Sequence, residues 1–127
     1  MDVPFEFVVD QLYSLDPVVR PMFGCHAVYV RNKIVLILRN KRAHSEDNGV
    51  WLATDYEHHD SLRRQFPAMQ SIKLFGGQSS RWQNLPVTAP DFEGSVMDAC
   101  RLILHGDERI GRVPTRRKRK KRDKNVN

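Results

Sequence analysis

The sequence predicts an α+β domain of two layers: a mainly antiparallel meander sheet with helices packed on one face, then a disordered basic tail. Three observations predict it. Helical apolar spacing occurs near both ends of the body and once in the middle. Between these stretches, short β-type runs are joined by turns too brief for a parallel crossover. Apolar periodicity stops at about residue 104, and charge takes over beyond it.

Asp2 and Pro4 suit a helix start, cap followed by a proline in the first turn. Phe5, Val8, Val9 and Leu12 then share one face, and Asp16-Pro17 ends the helix. Val18 to Phe23 is extended, interrupted by Pro21, with Gly24 offering a bend. His26 to Val30 and Ile34 to Leu38 flank Arg31-Asn32-Lys33 and read as a hairpin. Arg39 to Asn48 is a polar loop, Asn48-Gly49 a turn signal, and Val50 to Ala53 a short strand. A helix capped by Thr54 or Asp55 runs to about Gln65, where Pro67 closes it. Met69 to Phe75 and Arg81 to Leu85 are strands around the loop Gly76 to Ser80. Asp91 caps a last helix whose face carries Phe92, Val96, Ala99, Cys100, Ile103 and Leu104, and His105-Gly106 stops it. The predicted order is α-β-β-β-(β)-α-β-β-α. Domain boundaries follow: residues 1–106 fold, 107–114 link, and 115–127 form the tail. Within the linker the single aliphatic Ile110 leaves two options open, a plain connector or a segment folded back on the sheet.

The chain has 127 residues and a net charge of +6. Residues 115–127 hold eight bases (Arg116, Arg117, Lys118, Arg119, Lys120, Lys121, Arg122, Lys124) against one acid, a net +7. Residues 1–114 hold 13 bases against 14 acids, a net −1. A uniformly basic, histone-like protein is thereby excluded, and 40% hydrophobic residues argue against a wholly disordered one. Ile34 to Leu38 is the longest aliphatic run, far below the ~20 residues of a membrane span. The first residues carry acids and no basic n-region, so an export signal is not expected. Two cysteines form no disulfide framework. The body reads as cytoplasmic.

Arg20-Pro21-Met22-Phe23-Gly24 running into a strand, then Tyr29 and a turn with Lys33 before an aliphatic strand, resembles the N-terminal domain of the TfoX (Sxy) competence regulators. The likeness covers roughly residues 4–105 and extends loosely through the middle helix, two strands leading to Pro86, and the closing helix. It implies a two-layer α+β domain similar to YjbR-like and secretion-chaperone-like folds, a bacterial source, and no catalytic residues to carry over. Met22, Phe23 and Gly24 match the motif and are read as structural. Cys25 stands where the family has a second glycine, and the basic tail stands where the family continues into a helical domain.

The tail is the strongest functional signal. Its cations repel one another and cannot be buried, so their natural partners are polyanions, DNA or RNA first. The basic run holds no aromatic ring for stacking and no amide side chain for reading base edges, which implies non-specific contact. A solubilising extension, or one that meets acidic lipids, is the alternative. No catalytic, metal or cofactor site is expected. Cys25-His26, His58-His59-Asp60 and Cys100 with His105 lack chelating spacing. Gly76-Gly77 lacks the Lys and Ser/Thr of a phosphate loop. Trp51 and Trp82 are core or sheet-face residues on one reading and docking aromatics on another. The sequence thus points to a non-catalytic binding or regulatory module, with a protein partner and a homodimer through the sheet as further expectations. An adapter or chaperone-like protein is the competing reading.

Overall fold

The computed structural model describes residues 2–74 and 80–113. The elements are α1 (Glu6–Gln11), β1 (Val18–Met22), β2 (Cys25–Val30), β3 (Lys33–Arg39), β4 (Gly49–Leu52), α2 (His59–Gln65), β5 (Gln70–Ser71), β6 (Gln83–Pro86) and α3 (Phe92–Leu104). The strands form one antiparallel sheet in the order β1-β2-β3-β4-β6-β5. From β1 to β4 each strand lies beside its predecessor, as short connections demand. The meander then breaks, with β5 on the far edge and β6 returning between β4 and β5. Burial explains the exchange: all four residues of β6 are buried, which suits an inner strand, whereas β5 is half exposed. β5 is also shorter than the expected Met69–Phe75, because Ile72 and Leu74 leave the ladder and turn onto the sheet.

All the helical core residues belong to one cluster on one face of the sheet. Val8 and Leu12 come from α1 and the residue after it, Leu62 and Phe66 from α2 and its end, and Val96, Ala99 and Ile103 from α3. They meet Val28, Leu36, Leu38, Val50, Leu52 and Leu85 of the strands. Full burial of each large aliphatic side chain contributes about 1.5–3 kcal/mol. Phe5 and Phe92 join α1 to α3 edge-on, centroids 5.2 Å apart. α1 is shorter than the spacing predicts. It starts after Phe5 at φ 55 instead of on an Asp2 cap, and a 3-10 turn, Tyr13–Leu15, leads to Asp16 at φ 55. α2 likewise begins late, after a 3-10 turn at Tyr56–His58. α3 ends as expected: Gly106 at φ 72 lets the amides of Gly106 and Asp107 reach the carbonyls of Ile103 (3.0 Å) and Leu102 (2.9 Å), a Schellman motif.

The opposite face is also buried. Cys25, Ala27, Ile34, Ile37, Trp51, Ala53 and Ile72 form a second, smaller cluster, and among the described residues no helix packs on it. Part of its cover is the polar loop after β3. Arg39 is only 3% exposed and holds that loop from beneath. Its guanidinium donates to Asn48 Oδ1 (2.8 Å) and to the carbonyls of His44 (2.9 Å) and Ala43 (2.8 Å). Asn48 also bonds the Lys41 amide and carbonyl, at 2.9 and 2.7 Å. Trp51 Nε1 donates to the Asp47 carbonyl at 2.8 Å, and Asp47 Oδ1 accepts the Lys73 amide at 2.8 Å. Asn48-Gly49 is therefore no turn. Gly49 opens β4, and a Cβ there would strike the Leu85 carbonyl of β6.

β1 and β2 are a regular two-residue hairpin, Met22 opposite Cys25, with Phe23 and Gly24 both at positive φ as a type I′ turn requires. Pairing alternates from that turn, so Pro21 opposite His26 occupies a site without ladder bonds. Its missing N–H would have pointed outward from an edge strand, which is why proline is tolerated there.

Candidate nucleic-acid interface

Arg116, Arg117, Lys118, Arg119, Lys120, Lys121, Arg122 and Lys124 lie outside the described residues. The structure places their root. Of the linker 107–114, which the sequence leaves open as a plain connector or a segment folded back, the described residues 107–113 dock on the body. Ile110 is buried in the helix-side core. The amide of Gly111 donates to the Ala53 carbonyl at 2.7 Å. Ile34 and Arg112 exchange two backbone bonds of 2.9 Å each, an antiparallel bridge. β4 ends at Leu52, the Ala53 amide makes one more bond to Val35 (3.0 Å), and Arg112 then pairs with Ile34. The segment extends the sheet where β4 leaves it.

Arg109 fastens the same segment to α2. Its Nε and Nη2 grip the two carboxylate oxygens of Asp107 at 2.9 Å, while Nη1 donates to Ser61 Oγ at 2.8 Å and Nη2 to Gln65 Oε1 at 3.1 Å. Hydrogen bonds from Arg109 hold the Asp107 carboxyl below the usual carboxylate range and push the guanidinium up. Asp55 lies between Arg81 (3.3 Å) and Arg112 (3.8 Å).

Seven exposed cations, Arg20, Arg31, Lys33, Lys41, Arg42, Arg64 and Lys73, make no ion pair among the described residues, and the first five fall in one stretch of chain. No acid occurs between Asp16 and Glu46. Arg63, Arg81, Arg101, Arg109 and Arg112, by contrast, all sit within 4.0 Å of a carboxylate. Summing charge over the whole body conceals this division. Counting acids strand by strand along the sequence reveals it.

The other chemistry-bearing residues do not converge. Cys25 is buried on the second face, its thiol 3.7 Å from the Phe23 carbonyl, and alternation turns His26 to the other face. Burial pushes the Cys100 thiol up to about 11, away from thiolate reactivity. His59 is buried with Nε2 3.2 Å from the Arg81 carbonyl, and desolvation lowers its pKa, whereas His58 lies 3.4 Å from Glu57. Among the described residues no three His, Cys, Asp or Glu side chains are placed to hold a metal ion. Gly76-Gly77 is outside the described residues. Trp51 is buried against the half-buried Trp82, centroids 6.1 Å apart. Among the described residues no helix is long and apolar enough to cross a membrane.

No protein-family model, curated protein or solved structure matches this chain.

Proposed function

We propose that the chain is a non-catalytic binding module of a small bacterial cytoplasmic protein, whose basic segment 115–127 contacts DNA or RNA without sequence selectivity. The observation that carries this reading is the net +7 confined to those residues, beside a body of net −1. Its support in the fold is the root: two backbone bonds to Ile34 and the buried Ile110 fix the point from which the basic segment continues. A regulatory role akin to that of the TfoX N-terminal domain rests on the resemblance around Met22-Phe23-Gly24.

A salt titration of the full chain against a chain ending at residue 114 tests the reading. That truncation retains every described core residue, Ile110 and the Arg112 bridge included. If about six tail cations engage, log K falls against log[salt] with a slope near −5 on duplex and −4 on single strands. The shortened chain should lose retention on duplex at ~0.1 M salt, where phosphate contacts dominate binding. Equal duplex binding by both chains overturns the reading. A full chain that ignores nucleic acid transfers the weight to a protein-binding adapter.

A further inference from the structure

The tip of the β1–β2 hairpin carries an aromatic ring that the fold does not use. Phe23 is 86% exposed and held at φ 51, a position normally given to Asn, Asp or Gly. Left-handed backbone crowds the Cβ of any bulky residue, and this ring recovers no burial in return. Beside it, the Lys41 ammonium fills the space that Gly24 leaves by lacking a Cβ. A cation–aromatic pair stands on the same hairpin, with the Arg20 guanidinium 5.8 Å from the Tyr29 ring centre. Arg20 and Phe23 are three positions apart, ~10 Å along an extended chain. Arg42 follows Lys41, no acid occurs in sequence between Asp16 and Glu46, and the acid that shares a cleft with Gly24 and His26 is Asp2.

We propose that this hairpin is a subsite for single-stranded nucleic acid, with Phe23 as the stacking ring and Arg20, Lys41 and Arg42 as phosphate contacts. An exposed ring stacks on any unpaired base, while a duplex hides its base faces and offers this surface phosphates alone. Cations beside aromatic rings are the combination that tracks a single strand without reading its sequence. The inference rests on the nucleic-acid reading above and adds the strand class that the body prefers.

The experiment uses the full chain with two probes, a labelled oligothymidylate and a labelled duplex of equal length. Phe23→Asn removes the ring and suits the left-handed turn, so folding is not at risk. It should weaken oligothymidylate binding about ten-fold and leave duplex binding unchanged, since stacking serves only unpaired bases. Phe23→Trp should keep the single-strand affinity. Changing Arg20, Lys41 and Arg42 together to Gln should reduce the single-strand salt slope by about 2. A Phe23→Asn effect that is absent, or equal on both probes, overturns the subsite. The function reading is tested separately by changing the eight tail cations to Gln. If that change abolishes duplex binding while the hairpin variants do nothing, the tail stands and the subsite falls. If it does nothing while Phe23→Asn acts on the single strand, the subsite stands and the tail falls. A wild-type chain that holds neither probe overturns both.

Discussion

The two faces of the sheet are buried by different means. Three helices cover one face with aliphatic side chains, and its stability comes from volume: Leu36, Leu52, Leu62, Val96 and Ala99 are all fully buried. The other face lies partly under a loop, and that loop is held down by hydrogen bonds from Arg39, Asn48 and Trp51. The difference teaches that a polar stretch can be core. Arg39, Asp47 and Asn48 are at most 7% exposed, in a segment whose composition reads as a solvated loop.

Substitutions can break or sharpen this contrast. The largest effect belongs to the helix face, where Leu52→Ala should lower unfolding free energy by about 2–5 kcal/mol in urea titration. Asn48→Ala comes next, at about 2–3 kcal/mol, because it strips a partner from a buried guanidinium. A loss under about 0.5 kcal/mol, the size of an ordinary surface change, would show that the loop is not held as described. Trp51→Phe keeps most of the ring and deletes the bond to the Asp47 carbonyl, for a loss of about 1–2 kcal/mol. The smallest effect is at Asp107. Its folded carboxyl titrates below its usual value, so its contribution is present above that value and fades as pH falls through the folded pKa. Asp107→Asn should therefore flatten the acid side of a melting-temperature profile and leave the neutral region's slope unchanged.

The sequence made the strands and α3 legible through β-branched runs and a regular apolar face. Local pattern failed where tertiary packing decided the outcome. Phe23 gave no sign of a type I′ turn, since its type argues against positive φ and Pro21 suggested a broken strand. Met69 to Phe75 alternates like a strand, yet Ile72 is drawn into the second cluster and only Gln70–Ser71 pair. Ile110, one aliphatic among charges, carries no local signal of burial. Its burial depends on the gap beside Ile34, which no local window contains. The candidate site divides in the same way. The basic segment is visible as composition, whereas the hairpin surface emerges only when the fold brings Arg20 to the Tyr29 ring and Lys41 to Gly24.

The Ile34–Arg112 bridge also bears on kinetics. It joins the third strand to the end of the body, so its loop-closure entropy is large compared with that of any hairpin in the sheet. Such a pairing is expected to form after the hairpins, which need only local closure, and to contribute little to the folding nucleus. Interactions absent from the transition state govern how fast a protein opens and leave its folding rate alone. The segment that roots the basic residues would thus act as a latch on unfolding: removing its bonds should shorten the native lifetime while the domain still folds at its ordinary speed.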